Sequence, residues 1–209
     1  MLRRFAKPVL AAALTAPWVW LIYAIYLETL QTGSGLGADP VEGLLHYLGE
    51  WGMISLLVAF SITPLSRQFR SPWLIRSRRM TGLFAFTFVA VHAAIFTVFY
   101  VQLQWQVMLQ EVIERPYITL GMASLLVLSL LAATSTRGWQ RRLGSTWKRL
   151  HRWVYLAVTL AILHLLWLRK DGYEDVVVYT LWALAMGVER VLAWRKQVAL
   201  PSSSTMKHL

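Results

Sequence analysis

The segment Trp147 to Trp167, WKRLHRWVYLAVTLAILHLLW, is long and apolar enough to cross a bilayer, yet it carries His151 near one end and His164 near the other. A polar ring in hydrocarbon costs several kcal/mol unless something satisfies it. Two of the chain's five histidines in one span therefore point to a bound metal cofactor.

The rest of the chain agrees with a membrane setting. Of its 209 residues 57% are hydrophobic, yet the formal net charge is +11, so charge and apolarity must be segregated along the sequence. Six apolar segments, approximately 8–28, 43–65, 81–101, 117–135, 150–168 and 175–194, each match the roughly 20 helical residues that span a hydrocarbon core about 30 Å thick. The fold class expected is an all-α integral membrane protein, a six-transmembrane-helix bundle. Residues 1–196 read as one transmembrane domain and 197–209 as a polar cytoplasmic tail. The first segment follows Arg3, Arg4 and Lys7 and is too long for an ordinary signal sequence, so it reads as a retained helix.

Basic residues set the orientation, because Lys and Arg accumulate in short cytoplasmic loops. Eighteen of the twenty-one lie at the N-terminus, between spans two and three, between spans four and five together with Arg152 at the start of span five, or at the C-terminal end from Arg190 on. The opposite loops hold only Arg115, Arg169 and Lys170, with most of the acids. Both termini are expected in the cytoplasm. A nucleic-acid partner is excluded, since that would require a basic face on a soluble fold. Asp39-Pro40 reads as a helix start at the end of the flexible connection Thr32–Pro40, and Arg115-Pro116 does the same for span four. No internal repeat and no Gly-rich dinucleotide motif is legible.

The chain has no cysteine, which excludes disulfides, iron–sulfur clusters, zinc–thiolate sites and thioether-linked haem and leaves histidine as the strong transition-metal ligand. Spans three and five run in the same direction. His92 lies about twelve residues beyond Met80, roughly 18 Å along its helix, and His164 about fourteen beyond Leu150, roughly 21 Å. The pair is expected to face one another as a bis-imidazole clamp on a b-type haem, nearer the outer surface. His151 lies about 20 Å below His164, where a second redox centre would sit. Thirteen residues at 100° set those two rings about 140° apart on an ideal wheel, so either the helix is distorted or they serve different faces. His46 reads as a residue of the outer helix start and His208 as incidental. The basic run Lys148, Arg149, Arg152 reads first as a solvated loop and second as a holder of propionates.

Four stretches carry a resemblance: GLGADPV (35–41), RSRRMTGLFAFTFVAVH (76–92), RPYITLG (115–121) and WKRLHRWVY (147–155). Together they resemble the MsrQ (YedZ) family of haem-binding membrane subunits of methionine sulfoxide reductase systems, in the ferric-reductase-like transmembrane superfamily. The resemblance covers nearly the whole chain to about residue 196. It implies one or two haem b groups with His92, His164 and His151 as metal ligands, in a bacterial inner membrane. It implies a periplasmic molybdopterin partner of the MsrP kind, with electrons supplied from a cytosolic flavin reductase or from membrane quinol. The cofactor expectation extends to an FMN or quinone site. NADPH oxidases of the superfamily carry two histidines on the third span, whereas the inner position here falls at Arg78-Arg79. The cofactor-binding set is therefore His92, His164, His151, Arg78, Arg79, Arg149 and Arg152. No flavin or nicotinamide domain is legible, so electrons are expected from another molecule. Two rival readings remain: a stand-alone ferric or quinone reductase, which would work without a partner, and a colourless permease or scaffold, which would call for acidic groups within the spans.

Overall fold

The computed structural model describes residues 2–31, 33–169 and 172–199. Its regular elements, among the described residues, are all helical. Helix α1 covers Leu2–Leu30, α2 Pro40–Gln68 and α3 Pro72–Ile95, which runs on into a π-helical turn at Phe96–Tyr100. A short helix α4 (Trp105–Glu114) precedes α5 (Pro116–Ala133). Then come α6 (Arg137–Leu143), α7 (Ser145–Leu150), a 3-10 turn at His151–Trp153, α8 (Val154–Leu168) and α9 (Glu174–Ala199). Six stretches are long and apolar enough to cross a membrane: Pro8–Leu30, Pro40–Gln68, Pro72–Tyr100, Pro116–Ala133, Ser145–Leu168 and Glu174–Lys196.

Three boundaries differ from the sequence reading. Span three starts at Pro72, so Arg76, Arg78 and Arg79 sit on its first two turns and not in a loop. Apolar windows end at the first arginine, whereas the backbone has no reason to stop until the Phe69–Ser71 turn, where Arg70 is left-handed (φ 47°). The outer connection before Pro116 contains the helix α4, and α9 continues to Ala199, three residues into the stretch read as tail. The Gly-rich connection is also tied down: the Glu28 carboxylate accepts hydrogen bonds from the backbone N–H groups of Gly33, Gly35 and Leu36. Gly33 and Gly37 take the positive φ values that this turn requires.

Helix α2 is the spine. Asp39 caps it through bonds from the N–H groups of Val41 and Glu42 at 2.9 and 3.1 Å, and Pro40 occupies its first turn, where a missing N–H costs nothing. Arg115, by contrast, offers no side-chain cap to α5, and only Pro116 marks that start. Met53, Leu56, Leu57 and Phe60 of α2 pack with Ala85 of α3, Val127, Leu128 and Leu131 of α5, Ala157 and Val158 of α8 and Tyr179 of α9. A second cluster joins Leu21 of α1 to Leu48 and Phe88, with Trp18 stacked on Phe88 at 4.4 Å between ring centres.

Lipid tails are as apolar as leucine, so close approach and interhelical hydrogen bonds hold such a bundle together. Ala85 and Ala157, both wholly buried, provide the close approach. Ser124 Oγ donates to the Ala157 carbonyl at 3.0 Å and Trp182 Nε1 to Ser61 Oγ at 2.8 Å. Large apolar side chains such as Ile22, Leu126, Leu181 and Leu184 point outward, toward lipid. Replacing Ala157 with Leu should force α8 away from α5 and cost about 1–3 kcal/mol, read as a lower melting temperature in detergent, while Leu181→Ala on the lipid face should leave melting nearly unchanged.

Candidate functional site

His92 is one turn short of the end of α3 and His164 one turn short of the end of α8. Their ring centres are 6.5 Å apart with the planes at 84°. The depth match expected from counting residues is present, although the count from Met80 started eight residues inside the helix.

Each ring is held the same way. His92 Nδ1–H donates to the Leu45 carbonyl of α2 at 2.9 Å, and His164 Nδ1–H to the Tyr117 carbonyl of α5 at 2.7 Å. A carbonyl can only accept, so both rings are fixed as Nδ1–H tautomers with Nε2 as the bare nitrogen. A helix carbonyl has a second lone pair to offer, but the residue four positions on normally covers it. Those residues here are Gly49 and Gly121. A Cβ on Gly49 would stand 3.3 Å from the His92 ring, and one on Gly121 only 2.9 Å from His164 Nδ1. Leu45, Gly49 and His92 thus recur 72 positions later as Tyr117, Gly121 and His164. The sequence reading found no repeat, because the device is three residues spread over two helices. It missed both glycines, although the second ends the RPYITLG stretch.

These residues fit a metal held between two imidazoles. With a metal–nitrogen bond of about 2 Å and about 1 Å more to each ring centre, two imidazoles that shared one ion would have centres up to roughly 6 Å apart, close to the separation found. Nδ1–H donation to a carbonyl is the usual way a protein orients a ligating imidazole and raises its basicity.

His151 lies elsewhere, at the arginine-rich end. The 3-10 turn at His151–Trp153 breaks the wheel: three residues at about 120° bring the His151–His164 angle from about 140° to roughly 80°. Distortion is thus the outcome, and the two rings still serve different sites. The His151 ring stacks on Trp147 at 3.9 Å, and its Nδ1 bonds the Trp147 carbonyl at 3.2 Å. Trp147 Nε1 in turn donates to the Thr134 carbonyl at the end of α5.

Beside His151 is a cavity of about 500 Å³, walled by Thr63 and Arg67 of α2, Arg78 of α3, Trp147, Lys148, Arg152 and Tyr155 around the broken helix, and Arg190 and Trp194 of α9. Among the described residues, three buried side-chain polar atoms lack any partner: Thr63 Oγ1, His151 Nε2 and Arg190 Nε. All three belong to residues that line this cavity. Buried polar atoms in native proteins are rarely left unpaired, so together they describe a place built for a ligand. Arg190 is held for that task. It donates through Nη1 to Tyr155 Oη at 2.9 Å and through Nη2 to the Phe60 carbonyl, and its guanidinium lies over the Phe60 and Tyr155 rings at 4.1 and 5.2 Å. Among the residues that line the cavity His151 is the one imidazole, and Arg67, Arg78, Lys148, Arg152 and Arg190 surround it with positive charge, a lining that suits an anion-bearing group.

The remaining expected residues fall outside these two places. Arg79 and Arg149 are exposed and do not line the cavity. His46 is exposed and pairs with Glu42 at 3.8 Å. His208 lies outside the described residues. Sequence reading missed Thr63 and Arg190, although Arg190, next to Glu189 within the last apolar segment, was a signal that could have been followed.

Residues 48–162 match the protein family described as "Ferric reductase like transmembrane component", a stretch that contains His92 and His151 and stops two residues before His164. The chain is also similar to curated bacterial proteins. One from Caulobacter vibrioides, named "Protein-methionine-sulfoxide reductase heme-binding subunit MsrQ", is 38% identical over 90% of this chain and 87% of the relative. Proteins of the same name from Xanthomonas axonopodis pv. citri and Xanthomonas euvesicatoria pv. vesicatoria are 39% and 41% identical, over 96% and 83% of this chain and 89% and 80% of the relatives.

If His92 and His164 carry the expected haem, Gly121→Ala should weaken its retention about tenfold or more by displacing the ring that the glycine shelters. Gly49→Ala, with more room, should have the smaller effect; Soret absorbance per mole of purified protein measures both.

Proposed function

Because the chain belongs to the ferric reductase-like transmembrane family and, within it, to the MsrQ heme-binding subunits of protein-methionine-sulfoxide reductases, we propose that it carries electrons across the membrane on haem b held between His92 and His164. The protein is a multi-pass membrane protein with six spanning helices. The observation that carries the reading is the pair of carbonyl-anchored imidazoles with ring centres 6.5 Å apart.

Residues 1–196 act as one haem domain, with the arginine-rich ends of the spans and both termini on the cytoplasmic side of the bacterial inner membrane. The His92–His164 end then faces the periplasm. Electrons enter at the cavity from a cytosolic flavin reductase or from quinol and leave to a periplasmic MsrP-like molybdopterin subunit, which reduces methionine sulfoxide in oxidised proteins. The chain is an electron-transfer subunit, and the reduction of substrate belongs to the partner.

Haem b, when bound, supplies one-electron redox chemistry whose potential depends on axial ligands and burial. The protein's own part is physical. Leu45 and Tyr117 hold the two imidazoles in one tautomer, which keeps both Nε2 lone pairs available for metal. The pair sits partly buried among α2, α3, α5 and α8. At the inner cavity His151 Nε2 offers one further ligand or acceptor, whether to a second haem b, FMN or quinone. Arg78, Arg152, Lys148 and Arg190 neutralise the anionic groups of whatever binds, and Arg79 and Arg149 extend the positive field toward the cytoplasm.

Purified protein should show the Soret band and low-spin spectrum of a six-coordinate b-type cytochrome. His92→Ala and His164→Ala should each abolish the low-spin signal, whereas His151→Ala should retain it. An unchanged spectrum in the first two variants would sink the assignment. Arg190→Gln should leave the low-spin signal intact and raise the half-saturating concentration of reduced FMN, used as electron donor, about tenfold, the loss of one charge-assisted hydrogen bond.

A further inference from the structure

Helix α4 has no part in either site, and its exposed surface has an order that the sequence reading did not register. Beyond the π-helical turn the chain meets two consecutive left-handed residues, Gln102 (φ 53°) and Leu103 (φ 59°), before α4 starts at Trp105. Bonds from Leu103 N–H to the Thr97 carbonyl and from Gln104 N–H to the Val101 carbonyl secure that turn.

At 100° per residue α4 divides into three sectors. Val107, Met108, Glu111 and Val112 cover the side that is partly buried against the bundle, where Thr119 Oγ1 also donates to the Val112 carbonyl. Trp105, Leu109 and Ile113 fill the next quarter, and they are 68%, 43% and 78% exposed. Gln106, Gln110 and Glu114 fill the last, with Gln110 Nε2 bonded to the Glu114 carboxylate at 2.9 Å. The apolar quarter continues an exposed apolar surface on the end of span three, Val98, Phe99 and Tyr100, through Leu103.

We propose that α4 is an interfacial helix that lies along the leaflet at the His92–His164 end, with Trp105, Leu109 and Ile113 sunk among lipid and Gln106, Gln110 and Glu114 facing water. Continuity with the lipid-facing side of span three identifies lipid as the occupant. A helix with adjacent apolar and polar sectors and an aromatic residue at its start has the form that rests at the headgroup boundary. The consequence reaches the histidine pair. Helix α4 ends at Glu114, Glu111 pairs with Arg115 at 3.2 Å, and Arg115 Nη1 donates to Tyr117 Oη at 3.3 Å. Tyr117 supplies the carbonyl that holds His164. The bilayer surface thereby fixes the height of the carbonyl that orients His164.

The natural absence of cysteine makes a direct test possible. Full-length single-cysteine variants Leu109→Cys, Ile113→Cys, Gln110→Cys and Glu114→Cys carry a nitroxide label in phosphatidylcholine–phosphatidylglycerol vesicles, and collision with oxygen is compared with collision with a water-soluble nickel chelate. Labels at 109 and 113 should collide preferentially with oxygen and those at 110 and 114 with nickel, a reversal of the ratio within one helical turn. Nickel preference at all four positions would overturn the proposal. So would labels at 109 and 113 that favour nickel in vesicles and become shielded only when the methionine sulfoxide reductase partner is added, which would make this face a protein-docking surface. The label reports lipid contact whether or not haem is bound, so its failure is distinct from a failure of the haem reading.

Discussion

An imidazole N–H buried among apolar helices has to find an acceptor, and inside a helical bundle the acceptors at hand are backbone carbonyls already committed to their own helix. This chain resolves the conflict twice by the same means. A glycine four residues beyond the carbonyl leaves its second lone pair uncovered, and a histidine from the neighbouring span takes it. Much else follows from that contact. It locks the tautomer, sets the register of α3 against α2 and of α8 against α5, and brings two rings from separate hairpins to a separation that one metal ion spans. Both contacts lie at the end of the bundle with few charges, where the low dielectric that makes an unpaired N–H costly also strengthens the bond that satisfies it.

The two ends of α2 divide the labour. Near its start Leu45 and Gly49 hold His92, while near its finish Thr63 and Arg67 form one wall of the inner cavity and Phe60 supports Arg190. The buried length between them packs against α3, α5, α8 and α9, so the separation between the two sites is fixed by a rigid helix. At the inner end the balance of forces is reversed. Cations crowd the cavity, and Arg190 is kept in place by two aromatic faces and a carbonyl rather than by a carboxylate. A guanidinium neutralised by an acid would have little attraction left for an anion; one supported by π-faces keeps its charge for a ligand.

The angle between His151 and His164 left a helix distortion and separate faces equally open, whereas the membrane class, the six spans and the parallel His92 and His164 were legible along the chain. These depend on quantities that add up residue by residue: hydropathy over a window, rise per residue, and the count of arginines between spans. The glycine shelves, the partner carbonyls and Arg190 were not. Gly49 sits within an ordinary apolar span, and nothing local says that another helix's ring will fill the space above it. Arg190 was counted as one more cytoplasmic charge, because a linear reading cannot tell a cation that points at water from one that points into a cavity. Helix α4 escaped for a different reason: at ten residues it is too short for a span, and its apolar arc is interrupted by glutamines that read as loop.

By itself, then, the sequence determined that the chain is a membrane bundle with imidazole as its strong metal ligand, because composition and periodicity dictate solvent and secondary structure without reference to any distant contact. Tertiary structure decided which imidazoles meet, which nitrogen each presents, and which cations gather around one cavity. Those outcomes depend on angles and approaches of a few ångströms between residues 47 to 130 positions apart, and only packing of the helices against one another sets such distances.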